Sequence, residues 1–591
     1  MQLNTDRGWG GLPQISRYMY QDTYFLKNED YDAWVERMVS AYANPKYADE
    51  TRIMIKNYYF HPSTPVSGNG GTTRGLPISC YVGDVEDSKQ GIFDSWSESG
   101  WLGSMAGGIG RSWSSVREMG ASVGDNGGNS SGVIPFMCVD NALTLAVSQG
   151  SLRRMSQADY LDVSHPEIEE FVEIRKPTGD QNRRAQSLHH GVSISDSFMN
   201  AVIDGKTWDL ISPKTKSVTK SIDARTLWAK ILELRATTGE PYLFFYDNVN
   251  RLAPSEYKSL GLDIHLSNLC TEIMLNTSST KTNVCCLASL NLEYWDEMKY
   301  HLNIIIPAAT DFLDNVLQDF IDKTEGKEGF QHARNAAIEE RALGLGVMGF
   351  HSYLQSKHIP FESAIAAGLN KSIFSTISEI SDAYQASLPA DSICPMSKQA
   401  GTHRRNIVTL AVAPTMSISN LCNLASSGIE PWMSNAFSKK LKQGTFPVTN
   451  RYLDKVLKNY AFCEEIETDK QTWIEAQWAS IKKAKGSVQH LDWMDDYTKD
   501  VYKTAEEIDQ RWIIEHAAER TPFIDQGQSV NLFIPGNSHV QLLSDLHILA
   551  WKKGLKSLYY LRSTNPNRAS TASAERQQIQ APIYDECLSC Q

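Results

Sequence analysis

The sequence of 591 residues has no uninterrupted apolar run of about 18 residues, the length that a membrane-spanning helix requires. Its first residues, MQLNTDRGWGGLPQ, lack the basic segment followed by an apolar segment that marks a secretory signal. Only ten cysteines occur, too few for a disulfide scaffold, so thiols in a reducing compartment are expected. These absences argue against a membrane partner and predict a cytoplasmic protein.

An excess of positive charge is also absent. The net charge of −12 and the pI near 5.7 give no general attraction for nucleic acid, so an anionic ligand must be bound by a local site. Hydrophobic residues make up 41% of the chain, enough for a large buried core. No internal repeat is visible, and no metal site is predicted.

Secondary-structure patterns divide the chain into three parts. Residues 1–57 are predicted to form a helical region, because YDAWVERMVSAYA has apolar residues at helical spacing. Across residues 58–565, β-rich runs such as IVTLAVA, PYLFFY and KSLYYLR alternate with helical patterns. This alternation is typical of an α/β architecture. Residues 566–591 are polar and aperiodic, which predicts a flexible tail.

The segment LSNLCTEI, residues 266–273, places Asn268, Cys270 and Glu272 at alternate positions. In an extended segment, these three side chains project to one side and could meet one small molecule. The alternative is a half-buried strand in which the leucines pack and Cys270 acts as a small hydrophobic residue. The segment taken alone favours the second interpretation.

The segment NIVTLAVAPTMSISN has the layout of an anion site. A strand-like run ends at Pro414 and opens into small hydroxyl residues before a possible helix. Free backbone N–H groups at that helix start, with the hydroxyls of Thr415, Ser417 and Ser419, suit a phosphate or pyrophosphate. An ordinary capped helix is an equally good interpretation of these residues.

Two further patterns have ordinary structural explanations. Gly344, Gly346 and Gly349 have the spacing of a dinucleotide-binding fingerprint, but the preceding residues form helices rather than a strand, so a nicotinamide or flavin site is not predicted. Adjacent Tyr559 and Tyr560 would point to opposite faces of a strand, where such residues usually pack.

Cys587 and Cys590 form a C-x-x-C pair within the predicted tail. The tail offers neither the strand–helix junction of a thioredoxin motif nor two further ligands for zinc, so the pair indicates a carrier of reducing equivalents. A tail dithiol needs a disulfide to reduce. Candidate partners for that disulfide are Cys80, Cys285 and Cys286, although each could also be a core thiol.

Taken together, these segments resemble the large, catalytic subunit of class I ribonucleotide reductases, the enzymes that convert ribonucleotides to deoxyribonucleotides. The matching blocks follow the family's order across roughly residues 55–591: HPSTPVSGNGGTTRGLPISC, AGGIG, LSNLCTEI, VCCLASLNL, GLGVMGF, APTMSISN, GIEP, LYYLRS and the terminal C-x-x-C. The resemblance implies a ten-stranded α/β barrel with a central finger loop that carries Cys270 at its tip.

The resemblance also implies roles for individual residues. Cys270 would become a thiyl radical that takes the 3′ hydrogen from the ribose, Glu272 would accept the proton of the 3′-hydroxyl, and Asn268 would orient the sugar hydroxyls. Cys80 would donate a proton and an electron to the departing 2′-hydroxyl. Cys285 would be the disulfide partner of Cys80, although the adjacent Cys286 leaves this choice open.

The tyrosine pair implies a subclass. Enzymes that use adenosylcobalamin or a glycyl radical need no two-tyrosine relay, so the pair implies a separate small subunit with a dimetal or tyrosyl radical cofactor. Tyr560 would receive the radical and Tyr559 would pass it to Cys270. Cys587 and Cys590 would return electrons from a thioredoxin- or glutaredoxin-type reductant. On this chain itself, only nucleotides are expected to bind.

Two nucleotide sites are implied on a homodimer of this chain. A ribonucleotide, preferably a diphosphate, would bind at Thr64, Ser79, Gly108, Pro414, Thr415, Met416, Ser417 and Ile418. A deoxynucleoside triphosphate or ATP effector would bind at a specificity site with Asp84 and Arg117. The first matching block begins by residue 60 and leaves no room for an ATP-cone, so dATP is not expected to shut the enzyme off.

Two other functions fit part of the pattern. A cobalamin-dependent reductase would share every motif except the tyrosine pair. A catalytically inactive nucleotide-binding regulator would share the binding residues, although the presence of all five active-site cysteines argues against it. The compact chain resembles phage-encoded versions of the family, for which the host cytoplasm would be the location.

Overall fold

A nine-stranded sheet forms the centre of the protein, whose computed structural model describes residues 6–124, 127–149, 153–463, 469–536 and 538–563. The predicted tail, with Cys587 and Cys590, lies outside the described residues. In chain order the strands are β1 (Phe60–Pro62), β2 (Cys80–Asp84), β3 (Gly108–Ser112), β4 (Ser156–Asp162), β5 (His189–Ile194), β6 (Tyr242–Phe245), β7 (Asn283–Asn291), β8 (Leu343–Met348) and β9 (Ser557–Leu558).

The strand order is β1-β7-β2-β3-β4-β5-β6-β9, and β8 also pairs with β7. Strands β2 to β6 run parallel to one another, as expected where helices connect successive strands. Strand β7 is antiparallel to β2, and β9 is antiparallel to β6. The sheet curls into a half-barrel, so the predicted α/β fold class is confirmed.

The number of barrel strands stays a prediction. Nine strands form the main sheet of the described residues, and bridges between Leu345 and Leu410 and between Val412 and Gln528 continue it beyond β8. Shorter pairs of strands lie elsewhere: Ser122–Val123 with Gly128–Asn129, Ser148–Gln149 with Arg153–Arg154, Thr207–Ile211 with Val218–Asp223, Ala436–Leu441 with Gly444–Thr449, and Leu532–Ile534 with Leu561–Ser563.

Helices cover the outside of the sheet and most of the N-terminal region. The α-helices of the described residues are Gln14–Met19, Tyr31–Tyr42, Ala48–Lys56, Thr64–Asn69, Lys89–Ser104, Ile134–Ala146, Ile168–Phe171, Asp196–Asp204, Ala224–Thr238, Tyr246–Arg251, Ser255–Leu260, Trp295–Met298, Leu302–Lys323, Gln331–Glu340, Phe350–Ser356, Ala364–Ser387, Pro395–Ala400, Met416–Leu421, Arg451–Cys463, Lys470–Lys483, Asp496–Val501, Gln510–Arg520 and Val540–Lys552. Across the described ranges, no helix is long and apolar enough to cross a membrane.

The two faces of the sheet pack against different partners, because successive side chains of a strand alternate. On the outer face, Tyr81 of β2 and Ile109 of β3 belong to the large core beneath the helices. On the inner face, Cys80 of β2 and Tyr160 of β4 belong to a second core that also contains Cys270. The strand alternation therefore separates a structural face from a face that encloses the candidate site.

An irregular segment, residues 262–277, runs inside the half-barrel, and we call it the finger loop. A Cβ atom on Gly110 of β3 would overlap the carbonyl oxygen of Ser267, so the loop backbone touches the sheet where glycine leaves room. The Tyr160 hydroxyl lies 2.7 Å from Ser267 Oγ and donates to the Asn268 carbonyl at 3.0 Å. The sheet therefore holds the finger loop in place just before Cys270.

Candidate active site

A tight turn of the finger loop gathers Asn268, Cys270 and Glu272. The Thr271 N–H donates to the Asn268 carbonyl at 3.2 Å, and Thr271 has a left-handed φ of 66°. Asn268 Oδ1 accepts the N–H groups of Glu272 at 3.1 Å and Ile273 at 3.0 Å. The segment is a turn in which all three side chains are fully buried, so neither the extended conformation nor the half-buried strand is found there.

The turn is also held from its other side. Three consecutive carbonyls of the turn accept hydrogen bonds: Ser529 Oγ donates to Cys270 O at 2.5 Å, Ser557 Oγ to Thr271 O at 3.1 Å, and the Gly527 N–H to Glu272 O at 2.7 Å. Backbone contacts of this kind fix the direction of the neighbouring side chains. Cys270 and Glu272 are therefore positioned before any substrate arrives.

Cys80 lies beside the turn. Asn268 Nδ2 donates to Cys80 Sγ at 3.3 Å, and the Cys80 thiol lies 3.9 Å from Glu272 Oε1. Cys80 and Cys285 are directly opposite each other in the antiparallel pairing of β2 and β7. Opposite residues in such a pair have Cα atoms about 4.5–5.5 Å apart, a separation that a disulfide can bridge.

Cys286 points away from this group, to the outer face of β7. Its thiol donates to the carbonyl of Leu313 at 3.2 Å, and it packs in the large outer core. Burial raises the pKa of the Cys286 thiol above its usual range. The structure thus places Cys285, and not Cys286, beside Cys80.

Tyr559 and Tyr560 lie on the same side of the chain, with ring centroids 4.2 Å apart. The Tyr559 hydroxyl donates to Cys270 Sγ at 3.4 Å. The prediction that the two rings point to opposite faces is wrong, because the strand is interrupted: β9 pairs with β6, whereas Leu561–Ser563 pairs with Leu532–Ile534. The interruption lets both rings contact each other, tilted by 49°, inside the second core.

A third tyrosine and an ionic cluster adjoin the pair and were missed by the sequence analysis. The ring of Tyr242 lies 4.8 Å from that of Tyr559 and 5.1 Å from that of Tyr560. His189 Nδ1 lies 3.1 Å from the Tyr242 hydroxyl, 3.4 Å from the Tyr560 hydroxyl and 2.7 Å from Glu240 Oε1. No spacing or motif in the sequence connects these residues.

The carboxylate of Glu240 is charged within this cluster. Burial favours its protonated form, but Arg175, at 3.2 Å, and the imidazoles of His189 and His190 outweigh burial and hold the pKa of Glu240 well below its usual range. Burial in turn lowers the pKa of His190. The buried, ionised carboxylate of Glu240 is thus connected to Tyr560 through a single residue, His189.

The predicted substrate residues come from several elements. Thr415 has a left-handed φ of 53° and precedes the helix Met416–Leu421, and its Oγ1 accepts the Gly428 N–H at 2.6 Å. The Gly108 N–H donates to the Ser79 carbonyl at 2.7 Å. The structure brings Ser79 and Gly108 together. Thr64 and Thr415 contact residues outside the predicted set, and Thr64 Oγ1 lies 3.5 Å from the Tyr24 hydroxyl.

The two predicted effector residues face different partners. Asp84, at the end of β2, accepts a hydrogen bond from Thr277 Oγ1 of the finger loop at 3.0 Å. Burial raises the pKa of Asp84, and His265 opposes this effect. Arg117 instead forms an ion pair with Asp87 at 2.9 Å.

In the part of the chain that is described, no group of three or more His, Cys, Asp or Glu side chains could hold a metal ion.

Comparisons with known proteins add independent information. The family described as ribonucleotide reductase, barrel domain, matches residues 78–390 and 396–561. A protein of Frog virus 3 (isolate Goorha), provisionally assigned as a ribonucleoside-diphosphate reductase large subunit, is 40% identical over 93% of this chain and 93% of its own length. The ribonucleoside-diphosphate reductase large subunit of Invertebrate iridescent virus 3 is 35% identical over 92% of both chains.

A solved structure has the same fold. The alpha subunit of the Actinobacillus ureae class Id ribonucleotide reductase superposes with a TM-score of 0.82 at 32% sequence identity. The superposition covers 95% of this chain and 98% of that one. The similarity therefore extends over the helices, the half-barrel and the finger loop alike.

Proposed function

The chain belongs to the ribonucleotide reductases, as a large, catalytic subunit, and from this membership we propose that it reduces ribonucleoside diphosphates to deoxyribonucleoside diphosphates by a thiyl-radical mechanism. The observation that carries the proposal is the contact of 3.4 Å between the Tyr559 hydroxyl and Cys270 Sγ, in the core that also holds Cys80 and Glu272. The names of its viral relatives favour diphosphate substrates.

The radical reaches Cys270 through the tyrosine pair. Ring centroids 4.2 Å apart and an oxygen–sulfur distance of 3.4 Å give contact at each step from Tyr560 to Tyr559 to Cys270. Both tyrosines and the cysteine are buried, so the oxidising equivalent comes from a partner rather than from solvent. A small subunit with a dimetal or tyrosyl radical cofactor would supply it. The contacts of the tyrosine pair favour this route over adenosylcobalamin chemistry, which needs no such relay.

The sugar chemistry follows from the side chains of the turn. The Cys270 thiyl radical removes the 3′ hydrogen, Glu272 accepts the 3′-hydroxyl proton, and Asn268 holds the hydroxyl groups. Cys80 supplies a proton and an electron as the 2′-hydroxyl leaves as water, and Cys270 returns the hydrogen atom to C3′, which restores the radical on Cys270. Cys80 and Cys285 end as a disulfide, so the two electrons that the substrate gains equal those that the two thiols lose.

Two groups of residues bind nucleotides in this proposal. The substrate diphosphate lies on residues 414–418, with Thr64 and the main chain at Ser79 and Gly108. A deoxynucleoside triphosphate or ATP binds near Asp84 and Arg117 as the specificity effector. The ion pair of Arg117 with Asp87, at 2.9 Å, is partly exposed and can exchange for an effector phosphate.

The assay that tests the function measures reduction of ribonucleoside di- and triphosphates, with and without the small subunit of a class I enzyme. The proposal expects deoxynucleotide formation from diphosphates only when the small subunit is present. Turnover with adenosylcobalamin and no partner protein would overturn the proposed radical route. A chain that binds nucleotides but never reduces them, with any partner, would be a regulator instead.

The tail cysteines are expected to resupply electrons without taking part in the sugar chemistry. The full-length Cys587→Ser/Cys590→Ser variant should complete about one turnover per pre-reduced site and then stall with thioredoxin- or glutaredoxin-type reductants. A small dithiol should partly restore cycling, because exchange needs only an accessible thiolate. Product per enzyme in a single pre-reduced burst is the quantity to measure.

Cys80→Ser provides the contrasting variant. No reductant should rescue it, since the group that reduces the substrate is itself missing. Continued multiple turnover of the tail variant with protein reductants would show that Cys587 and Cys590 have a different role.

A homodimer is proposed because the helices Lys89–Ser104 and Ile134–Ala146 carry apolar side chains into solvent. Phe93 is 55% exposed, Val139 41% and Leu145 64%. Phe93 stacks on Trp96 at 5.5 Å, and Trp96 contacts Phe136 at 6.0 Å, so the aromatic surface is continuous between the two helices. Exposed apolar surface of this kind is typical of a protein interface.

The Phe93→Asp/Leu145→Asp variant is expected to weaken self-association by at least about tenfold, because two charges would be buried without partners at the interface. Sedimentation equilibrium measures the dissociation constant directly. Ile365→Asp, at an equally exposed position of the helix Ala364–Ser387, is the matched control and should leave association unchanged. If Ile365→Asp weakened association as much as the Phe93→Asp/Leu145→Asp variant, these helices would be ruled out as the interface.

A further inference from the structure

Gln526 is a fully buried glutamine whose carboxamide contacts three parts of the candidate site. Its Oε1 accepts the N–H of Met274 in the finger loop at 3.1 Å. Its Nε2 donates to the carbonyl of Leu343 at 2.9 Å and lies 3.6 Å from Cys285 Sγ. An amide oxygen only accepts and an amide nitrogen only donates, so the two backbone partners determine the orientation of the group. The second N–H of Nε2 is therefore the one that donates to the sulfur.

The segment that carries Gln526 is firmly held. The buried ammonium of Lys556 donates to three consecutive carbonyls, those of Ile524 at 3.1 Å, Asp525 at 2.7 Å and Gln526 at 2.5 Å. Asp525 Oδ2 in turn accepts the N–H groups of Thr409 at 2.7 Å and Leu410 at 3.0 Å. The backbone of Gln526 is thus fixed, and its carboxamide cannot turn away from Cys285 without breaking its buried bonds to Met274 and Leu343, which are costly to leave unmade.

The two sulfurs of the Cys80–Cys285 pair have different surroundings. Cys80 Sγ lies 3.9 Å from Glu272 Oε1, so a thiolate at Cys80 would be repelled by that carboxylate. The N–H of Asn268, at 3.3 Å, offsets part of this repulsion. Burial raises the pKa of the Cys285 thiol well above its usual range, and the N–H of Gln526 acts against this rise. The neighbouring thiols and, as the smallest contribution, Glu272 add to the rise. Cys285 Sγ also lies 3.7 Å from the Cys286 carbonyl oxygen. Negative charge is thus better placed on Cys285, which faces a neutral carbonyl and feels Glu272 only weakly, than on Cys80, which lies beside the Glu272 carboxylate.

We propose that Gln526 is a positioning residue that makes Cys285 the leaving thiolate when the Cys80–Cys285 disulfide is reduced, so that the incoming reductant attacks Cys80. The inference deepens the proposed function and rests on it, because it requires that disulfide. In thiol–disulfide exchange, the sulfur whose thiolate is more stable leaves faster. Each sulfur has an amide donor, Gln526 at Cys285 and Asn268 at Cys80, but Cys80 also lies beside a carboxylate, that of Glu272. The amide of Gln526 therefore stabilises the leaving group on which that carboxylate acts only weakly.

The exchange balances with a dithiol as reductant. A reductant thiolate forms a bond to Cys80 Sγ, the disulfide bond breaks, and its electron pair leaves on Cys285 Sγ under the N–H of Gln526. The second thiol of the reductant then displaces Cys80 and closes the reductant's own disulfide. The reductant loses two electrons, and Cys80 and Cys285 gain them and take up protons.

A trapping experiment on the full-length Cys587→Ser/Cys590→Ser chain tests the direction of attack. Diamide forms the Cys80–Cys285 disulfide without substrate, glutathione attacks it, and rapid alkylation followed by peptide mass mapping finds each product. Glutathione is expected on Cys80 and the alkyl label on Cys285, in several-fold excess over the reverse pattern. Glutathione mainly on Cys285 would overturn the proposal.

The Gln526→Leu variant in the same background tests the role of the amide. Attack by glutathione should slow about tenfold, and the preference for Cys80 should fall toward equal labelling, because the donor to the leaving sulfur is gone. Gln526→Glu retains the acceptor for Met274 and places a carboxylate near Cys285, so it should shift attack toward Cys285. If the Leu variant does not fold, the Glu variant alone decides: an unchanged preference there would overturn the proposal.

Gln528 offers a matched control two residues away. It is buried and makes the same number of hydrogen bonds, to the Ala517 carbonyl at 2.8 Å, Thr521 Oγ1 at 2.9 Å and Arg520 Nε at 2.6 Å. Gln528→Leu should keep the parent's labelling pattern, since it loses packing and hydrogen bonds but no contact to sulfur. An equal change in both Leu variants would mean general loosening of the segment and would overturn the specific role.

Failure of the two proposals can be told apart. A parent chain that forms the disulfide and produces deoxynucleotides, but is attacked at Cys285, counts against the role of Gln526 alone. A parent chain that forms no Cys80–Cys285 disulfide on oxidation and produces no deoxynucleotide counts against both.

Discussion

The Cys270→Ser variant is expected to form no measurable deoxynucleotide, with turnover at least about 1,000-fold below that of the parent chain. The oxygen–hydrogen bond of serine is too strong to yield a radical that can abstract and return a hydrogen atom. Serine is nearly the size of cysteine, and the turn is held by backbone groups, so the fold and nucleotide binding should remain. Deoxynucleotide formation with the small subunit, beside equilibrium binding of a ribonucleoside diphosphate, measures both.

Cys394→Ser is the matched control for Cys270→Ser. Cys394 is buried in the second core, which also contains Cys270, and burial raises the pKa of its thiol to about 11. It has no place in the proposed radical route, so its replacement should preserve most of the activity. Substantial turnover by Cys270→Ser would remove Cys270 from the central role.

Replacing either Tyr559 or Tyr560 with phenylalanine is expected to stop turnover while changing stability by only about 1 kcal/mol. Phenylalanine retains the ring that packs against its neighbours at centroid distances of 4.2–5.1 Å. Only the hydroxyl is lost, and with it the contact of Tyr559 to Cys270 Sγ at 3.4 Å and of Tyr560 to His189 Nδ1 at 3.4 Å. Activity, thermal unfolding and association with the small subunit should be measured for each variant.

Tyr242→Phe serves as the control for the tyrosine pair. Tyr242 packs on both rings and also bonds to His189, at 3.1 Å, but it lies outside the proposed relay. Its variant should keep most of the activity. If Tyr559→Phe or Tyr560→Phe retained near-normal turnover, the relay would be wrong, and a cobalamin-dependent mechanism would be favoured instead.

Local patterns in the sequence predicted the fold class correctly. Alternating strand and helix signals arise from backbone geometry and from the periodicity of apolar residues, both of which are visible within about ten residues. Strand β6 lies within PYLFFY, where it was expected. The segment of residues 266–273 contained Asn268, Cys270 and Glu272, whose chemical types allowed a reactive site, although the segment alone favoured packing and only the resemblance of the whole chain assigned their roles.

Local patterns also failed where the backbone departs from regular structure. The finger loop reverses at Thr271 in a left-handed conformation, so Asn268, Cys270 and Glu272 lie on a turn and not on a strand. The strand is interrupted at Tyr559 and Tyr560, so their rings contact each other instead of facing apart. Both departures depend on hydrogen bonds to residues 527–534. These residues are far from the finger loop in the sequence and are separated from the tyrosines by the helix Val540–Lys552.

The sequence by itself determined the α/β class, the order of the motifs and the chemical types available at the candidate site, because these depend on residues close together in the chain. Only the tertiary structure decided that Cys285, rather than Cys286, faces Cys80, that Tyr242 and His189 adjoin the tyrosine pair, and that Gln526 donates to Cys285. Those contacts join residues from distant segments. They follow from strand order and register, and a shift of one residue in register would turn every side chain to the opposite face of the sheet.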